Sequence, residues 1–377
     1  MANPLRTSNL KFTGSLSDGL YIVGNSNVRN RSIPHLPTIG ASTLVPGIFN
    51  VTVNNESDPL TIYCPDLFDN FSDGDIIWID SRHQLMRSIL TMHANSNTLL
   101  VTEQCDNRCS FCSQPPNDLP DAELYHKATL SLLNYETKNY VGISGGEPTL
   151  NRNAFLSMLR VLKTSDNKTP LHILTNGRSF SDINFVENLH QYIKDRDIVW
   201  GIPLYGHTST IHDSLVGAKG AFVETVSGLV NLGAIGQVVE LRIIPVQQNL
   251  KYLSHIVEFI TDSLSFVSVI SVMNLEPKGW ARNNFDVLTT SVKEQSFWLS
   301  KMIEIAELKG ISIRLFNYPL CLLPENIRAY ADQSISDWKN YFPAICDGCD
   351  LKQNCCGFFT SATGNFIEAV EPIVWID

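Results

Sequence analysis

Between residues 99 and 316, strand-length apolar runs alternate with stretches whose apolar residues recur at helical spacing, and this alternation constrains the fold more than any other feature. Strands are expected at 99–102, 140–144, 171–175, 198–204, 238–246, 266–275 and 311–316. The intervening helices are marked by Leu124, Ala128 and Leu132; Phe155, Leu159 and Leu162; Phe185, Leu189 and Ile193; Phe222, Val226 and Leu229; Leu253, Ile256 and Ile260; and Trp298, Met302 and Ile305. Asp121 and Asp182 stand where helix caps are expected. Strand, helix and strand in succession imply a parallel sheet with right-handed crossovers, and six or seven such units suit a full or partial barrel. The expected fold is therefore α/β, a partial (βα)6-type TIM barrel over 96–318. A β-rich segment, 1–95, precedes it and a Cys-rich extension, 319–377, follows. Strand-like runs at 20–23, 48–53, 60–63 and 75–79 are separated by Gly, Pro, Asn, Asp and Ser. This first segment reads as a structural or substrate-docking module, with Cys64 and His93 as packing or surface residues.

Composition narrows the class. With 44% hydrophobic and 18% charged residues in 377, the chain can bury a sizeable core. A formal charge of -10, without clustered Lys or Arg, argues against a nucleic-acid partner, because phosphate-backbone binding needs a basic surface. Residues 1–14 carry no signal pattern and no apolar run approaches the ~20 residues of a membrane span, so a cytoplasmic protein with no membrane contact is expected. In a reducing compartment nine cysteines point to metal rather than disulfides. Eight of them fall into two groups, 105–112 and 321–356.

Barrels carry chemistry on the loops after their strands, and the unusual residues fall there. Cys105, Cys109 and Cys112 follow the first strand. Structural zinc wants four ligands, whereas three thiolates on a four-iron cube leave one iron open to another ligand. Gly145-Gly146-Glu147-Pro148 follows the second strand, either as a tight turn or as bare backbone that a ligand can approach closely. Thr175 and Asn176 end the third. Arg242 lies on the fifth, as a barrel ion pair with Glu240's neighbours or as an inward cation. Tyr205, His212 and Asp213 after the fourth strand, and Asn274, Glu276 and Lys278 after the sixth, are candidates for contact with substrate. At the C-terminus, Cys321, Cys346, Cys349, Cys355 and Cys356 can saturate one metal site, iron-sulfur or zinc.

The cysteine triad, with Phe111 just before its last member, together with the Gly-Gly-Glu-Pro loop, resembles the signature of radical S-adenosylmethionine (SAM) enzymes. The resemblance implies a [4Fe-4S] cluster on Cys105, Cys109 and Cys112 with SAM chelated to the open iron, and a 5'-deoxyadenosyl radical formed by its reductive cleavage. It also implies that Phe111 and residues 145–148 contact the cofactor, the latter at the methionine amino group. Thr175 and Asn176 would lie near the ribose and Arg242 at the SAM carboxylate. Relatives that mature peptides carry further clusters near their C-termini, which implies an auxiliary [4Fe-4S] cluster on Cys321, Cys346, Cys349 and Cys355. Cys356 either substitutes for Cys355 or ligates nothing, and zinc is the alternative metal. The spacing departs from those relatives' seven-cysteine extension, so one such cluster at most is implied.

Within the family, residues 95–360 most resemble the smaller of the two radical SAM maturases of His-Xaa-Ser peptide systems. The resemblance rests also on Ser113-Gln114-Pro115-Pro116, the segment 274–280 and the terminal Cys-Cys-Gly-Phe-Phe. It implies a His-Xaa-Ser repeat peptide as substrate, a second radical SAM protein as partner and a flavodoxin- or ferredoxin-type electron donor. Two other readings stay open: a radical SAM enzyme acting on a nucleotide or other small molecule, and a non-catalytic, metal-containing scaffold that docks a peptide.

Overall fold

A computed structural model describes residues 11–13, 18–23, 38–41, 48–52, 60–63, 72–80, 82–83, 85–333, 339–363 and 368–374. Seven strands come first: β1 (Lys11–Thr13), β2 (Gly19–Val23), β3 (Thr38–Ala41), β4 (Ile48–Thr52), β5 (Leu60–Tyr63), β6 (Ile76–Asp80) and β7 (Leu85–Leu90). They form one sheet in the order β1-β5-β4-β3-β2-β6-β7, antiparallel except where β2 meets β3. Three of these strands, β1, β3 and β7, were not expected from the sequence. His93 is exposed in the turn after β7, and Cys64 lies outside the described residues.

The second sheet holds β8 (Asn97–Thr102), β9 (Val141–Gly145), β10 (Leu171–Leu174), β11 (Ile198–Pro203), β12 (Val238–Ile243), β13 (Val269–Met273), β14 (Ser312–Phe316) and the two-residue β15 (Ala331–Asp332). They run in strict order from β15 to β8 with every neighbouring pair parallel, an open sheet as the partial barrel requires. Helices α1 (Glu123–Leu133), α2 (Arg152–Thr164), α3 (Ile183–Ile193), α4 (Ser209–Val216), α5 (Ala221–Ala234), α6 (Leu253–Ser263), α7 (Trp280–Asn283), α8 (Phe285–Leu288) and α9 (Val292–Lys309) fill the crossovers. Among the described residues no helix is long and apolar enough to cross a membrane. Strand β12 ends at Ile243, short of the expected 246, because Asn249 captures the Val246 amide (2.8 Å) and the Ile244 carbonyl (3.0 Å) in a turn. Asp182 caps α3 through the Asn184 amide, as expected. Asp121 does not cap α1; its carboxylate accepts from Thr102 Oγ1 (3.0 Å) and the Glu103 amide, tying that helix's approach to the end of β8.

The two faces of the parallel sheet differ in kind. Ile143, Ile173, Trp200, Ile202, Leu241 and Val272 are wholly buried on the helix-covered face. Register places His172, Gly201, Glu240, Arg242, Ser271 and Met273 on the other face, a polar one. A strand buried on both sides would read as a continuous apolar run; these alternate, which leaves the concave side available for chemistry. The N-terminal sheet joins this core through Leu20, Ile76 and Leu90, and through Asn97, which bonds the Tyr135 hydroxyl (2.9 Å) and the Thr91 backbone.

Trp200 is fully buried, edge-on to Phe180 with ring centroids 5.0 Å apart, and its indole N–H donates to Gln237 (3.0 Å). Truncation leaves a cavity and an unmade bond together. Trp200→Ala is expected to lower unfolding free energy by about 3–5 kcal/mol, read from the shift of the urea midpoint; a loss under about 1 kcal/mol would contradict this packing.

Candidate active site

The loops that follow β8, β9 and β10 are bound into one structure. Gly146 donates its amide to Thr102 O (2.9 Å) and Glu147 donates to Gln104 O (2.7 Å), so the second loop lies directly on the first. A Cβ on Gly146 would stand 2.2 Å from Gln104 O, and one on Gly145 2.6 Å from Thr102 O. The two glycines are thus needed for contact between neighbouring loops. Glu147 is wholly buried. Its Oε1 accepts from the Thr149 amide (2.8 Å), Thr149 Oγ1 (2.6 Å) and Thr175 Oγ1 (2.6 Å), and its Oε2 from the Asn176 amide (2.5 Å). Burial raises its pKa and these four bonds oppose the rise. Pro148 contributes its carbonyl to the Tyr125 hydroxyl (2.8 Å).

The third loop closes on the first. Asn176 Nδ2 donates to Asp106 Oδ1 (2.6 Å), inside the cysteine loop. Arg178 reaches Asp106 Oδ2 (3.0 Å), Asp106 O (3.0 Å), Asn107 Oδ1 (2.8 Å) and Glu224 (2.6 Å). Helix α5 presses on the same turn, since a Cβ on Gly228 would lie 2.2 Å from Gly177 O. Thr175 and Asn176 were expected at a ribose; in the structure their side-chain polar groups are engaged by Glu147, Asp106 and the Gly177 and Arg178 amides. Asp106 and Arg178 were not singled out in the sequence.

Cys105, Cys109 and Cys112 are free and half-buried on the loop so held. Burial pushes the Cys105 thiol up to about 12 and raises Cys109 and Cys112 as well; the Cys105 and Cys109 thiols are lifted further by neighbouring sulfurs of the triad. Metal binding must therefore draw off their protons. Among the described residues no three His, Cys, Asp or Glu side chains converge as ligands of a single ion would. The donor set, soft sulfurs on one short loop with backbone carbonyls and amides around them, fits an iron-sulfur cluster rather than a hard cation.

Phe111 is buried edge-on to Tyr205, with centroids 4.7 Å apart. Tyr205 is itself buried among apolar neighbours of the loop, and burial raises its phenol. His212 is 1% exposed, accepts the Tyr205 amide at Nδ1 (3.2 Å), and burial lowers its pKa to about 4. Both residues support the cysteine loop from behind, where contact with a substrate had been expected. Asp213 accepts from the Gly220 (2.6 Å) and Phe222 (2.8 Å) amides as a turn residue.

Segment 274–284 spans from β13 to the cysteine loop. The Trp280 amide donates to Cys112 O (2.8 Å) and Asn284 Nδ2 to Ser110 O (2.8 Å). Gly279, at φ +57°, passes so close that a Cβ would be 2.6 Å from Cys112 O. Asn274 folds its amide oxygen onto the next backbone N–H (3.0 Å), Glu276 pairs with Lys339 (3.1 Å), and Lys278 donates its backbone amide to Glu276 O (2.8 Å).

Cys321, Cys346, Cys349 and Cys355 line a single cavity with Leu320, Phe342 and Phe358. Hydrogen bonding from Cys356 holds Cys355 down to about 6, and amides of Leu320 and Gly357 point at its sulfur (3.4 Å each). Cys356 is buried outside that cavity, its sulfur 3.2 Å from Gly357 O.

Residues 99–260, from β8 into α6, match the Radical SAM superfamily model. No curated protein sequence matches the chain. Similar solved structures include SuiB from Streptococcus suis bound to S-adenosylmethionine, at 16% identity and TM-score 0.46 over 60% of this chain and 51% of SuiB. Others are anSMEcpe with bound AdoMet, at 15% identity and TM-score 0.45 over 58% of this chain and 62% of that one, and a radical SAM methyltransferase from Sphaerobacter thermophilus, at 15% identity and 0.45 over 72% and 77%. The chain thus spans about half the length of SuiB.

On the concave face Glu240, 6% exposed, meets His172 Nε2 (2.6 Å) and Arg242 Nε (3.7 Å); Arg242 also reaches Met273 Sδ (2.7 Å). Gly201 makes the room, since a Cβ there would be 3.0 Å from His172 Nε2. Burial alone raises the Glu240 pKa, but the bond to His172 and the Arg242 charge outweigh it and hold the carboxyl down at about 2. A depressed carboxyl stabilises the fold above its unfolded pKa, near 4.5, and loses that contribution as pH falls toward 2. Glu240→Gln is therefore expected to destabilise the protein at pH 7, by up to about 3 kcal/mol. The gap from wild type should narrow between pH 4.5 and pH 2 in urea unfolding. A gap independent of pH would show that the carboxylate charge is not what stabilises.

Proposed function

We propose that this chain is a radical SAM enzyme that abstracts hydrogen from a peptide substrate. The observation that carries the reading is the triad of free, half-buried thiols on a loop that leaves the carboxyl end of β8 within a radical SAM domain. Cys105, Cys109 and Cys112 would hold a [4Fe-4S] cluster and leave one iron for SAM. That cluster, when bound, supplies the electron that splits SAM to a 5'-deoxyadenosyl radical. The protein's own part is position and exclusion. Asp106, Asn176 and Arg178 fix the loop that carries the thiols. Phe111 and Tyr205 keep water from its inner side. Arg242, half-buried on the concave face, offers a guanidinium to an anionic group such as the SAM carboxylate. Gly145, Gly146 and Pro148 set the second loop beside it, and Glu147 keeps the second and third loops in register.

Cys321, Cys346, Cys349 and Cys355, lining one cavity, would hold an auxiliary [4Fe-4S] cluster, with zinc as the competing metal. A His-Xaa-Ser repeat peptide is the substrate we favour, with a second radical SAM protein as partner and a flavodoxin- or ferredoxin-type reductant. The sequence resemblance supports this, and the acidic balance of the chain accords with a substrate that is not a polyanion.

Anaerobically reconstituted protein should show a dithionite-reducible iron-sulfur spectrum and release 5'-deoxyadenosine from SAM. Cys109→Ala should lose at least ~99% of that product while still folding; retained turnover would end the assignment. A mass change on a co-expressed candidate peptide separates the peptide reading from a nucleotide substrate, and from a scaffold that forms no deoxyadenosine at all.

The auxiliary site has its own readout. Cys349→Ser should lower bound iron to about half without abolishing deoxyadenosine, whereas Cys356→Ser should leave iron near the wild-type value. Zinc recovered in proportion to protein, with iron unaffected by Cys349→Ser, would reassign that site to zinc.

A further inference from the structure

Next to the four-cysteine cavity lies a second, open one, between the ends of β13 and β14 and the C-terminal segment. The two share Gly357 and Phe358 in their walls. Three of the polar side chains that line it carry buried oxygens without a partner: Thr290 Oγ1, Asn317 Oδ1 and Asn340 Oδ1. Thr290 is only 6% exposed. A buried polar atom without a partner is destabilising, so three on residues that line one cavity form an arrangement that a ligand would stabilise. Asn317 adopts φ +63°, the left-handed region that few non-glycine residues enter, as it leaves β14 beside the cavity.

The lining sets the chemistry of that ligand. Two of the three unpartnered atoms are amide carbonyl oxygens, which only accept, and the third is a hydroxyl that can do so. Among the described residues of the wall the one charged group is the Glu368 carboxylate, held by the Val292 amide (3.0 Å) at the start of α9. No Lys, Arg or His is among the described residues that line the cavity, while Phe285, Phe358 and Phe359 supply aromatic walls. Acceptors, one carboxylate and ring faces select a group that donates N–H bonds and carries positive charge, and they reject anions. We propose that this cavity binds a protonated nitrogen group: the ammonium, guanidinium or imidazolium of a basic side chain on a peptide, or the same group on a free amine.

In its peptide form the proposal deepens the function argued above and rests on it, but binding can be measured without SAM, reductant or turnover. Full-length protein is titrated calorimetrically with acetyl-Ala-Lys-Ala-amide, with the Arg, His and Glu versions of that peptide, and with n-propylamine. The basic peptides or the amine should bind, and the Glu peptide should bind at least ~10-fold more weakly. Binding of the basic peptides ~10-fold tighter than the amine assigns the cavity to a peptide; equal binding assigns it to a small amine. Thr290→Val, which keeps side-chain shape and removes an unpaired hydroxyl, should weaken binding ~10-fold while leaving the melting temperature unchanged or raised. Glu368→Gln should weaken the basic ligands and leave the Glu peptide unaffected or improved. No binding by any basic probe, equal binding of the Glu peptide, or wild-type affinity in Thr290→Val would overturn the proposal. Deoxyadenosine formation would survive that failure, so the radical SAM assignment stands or falls apart from it.

Discussion

The arrangement of the site depends on one buried carboxylate. Glu147 has no exposure to water, and a carboxylate taken out of water costs several kcal/mol unless its lone pairs are met. Here they are met by four donors, two from Thr149 and two from the Thr175–Asn176 turn. The loop after β9 therefore cannot move away from the loop after β10 without stranding the charge. Asn176 then carries the constraint onward to Asp106, where Arg178 adds a charge-assisted clamp. The cysteine loop, which lacks regular secondary structure of its own over much of its length, takes its shape from this chain of contacts.

Below the loops the same economy governs the sheet. The helix-covered face is apolar and supplies the burial that holds the fold together. The concave face carries His172, Glu240 and Arg242, and a carboxylate between two nitrogen groups lets two cation-capable side chains approach each other at low solvent access. Arg242 retains donors beyond its Glu240 contact, one of which meets Met273 Sδ. Gly201 is part of that arrangement, because any side chain there would enter the space His172 occupies.

Much of this was legible in the sequence, and what was not has a common cause. Strand and helix periods between residues 99 and 316 reflect local burial, so the parallel core and the positions of its unusual loops could be read directly. The cysteines could be read because thiol spacing within one loop is a property of consecutive residues. Asp106, Arg178, His172 and Glu240 could not, since their partners lie about 70 residues away in sequence, and His172 meets Glu240 across the intervening β11, where Gly201 stands opposite Glu240. The burial of Tyr205 and His212 escaped for the converse reason: a place after a strand suggests exposure, but the cysteine loop packs against α4, which carries His212, and both side chains lie buried there. The short strands β1 and β3 escaped because three or four residues carry too little periodicity to separate them from loop.

The two cysteine regions are joined by the segment after β13, and this bears on how they work together. Trp280 and Asn284 hold the carbonyls of Cys112 and Ser110 at one end. Between those two, Arg282 donates to Ser361 O (2.5 Å), and nearer β13 Glu276 pairs with Lys339; Ser361 and Lys339 are both on the C-terminal extension. Gly279 sits at the crossing, where its positive φ and the 2.6 Å clearance to Cys112 O leave no space for a side chain. The same stretch thus contacts both the backbone of the triad loop and the extension that carries the other thiols, although the two groups are more than two hundred residues apart in sequence.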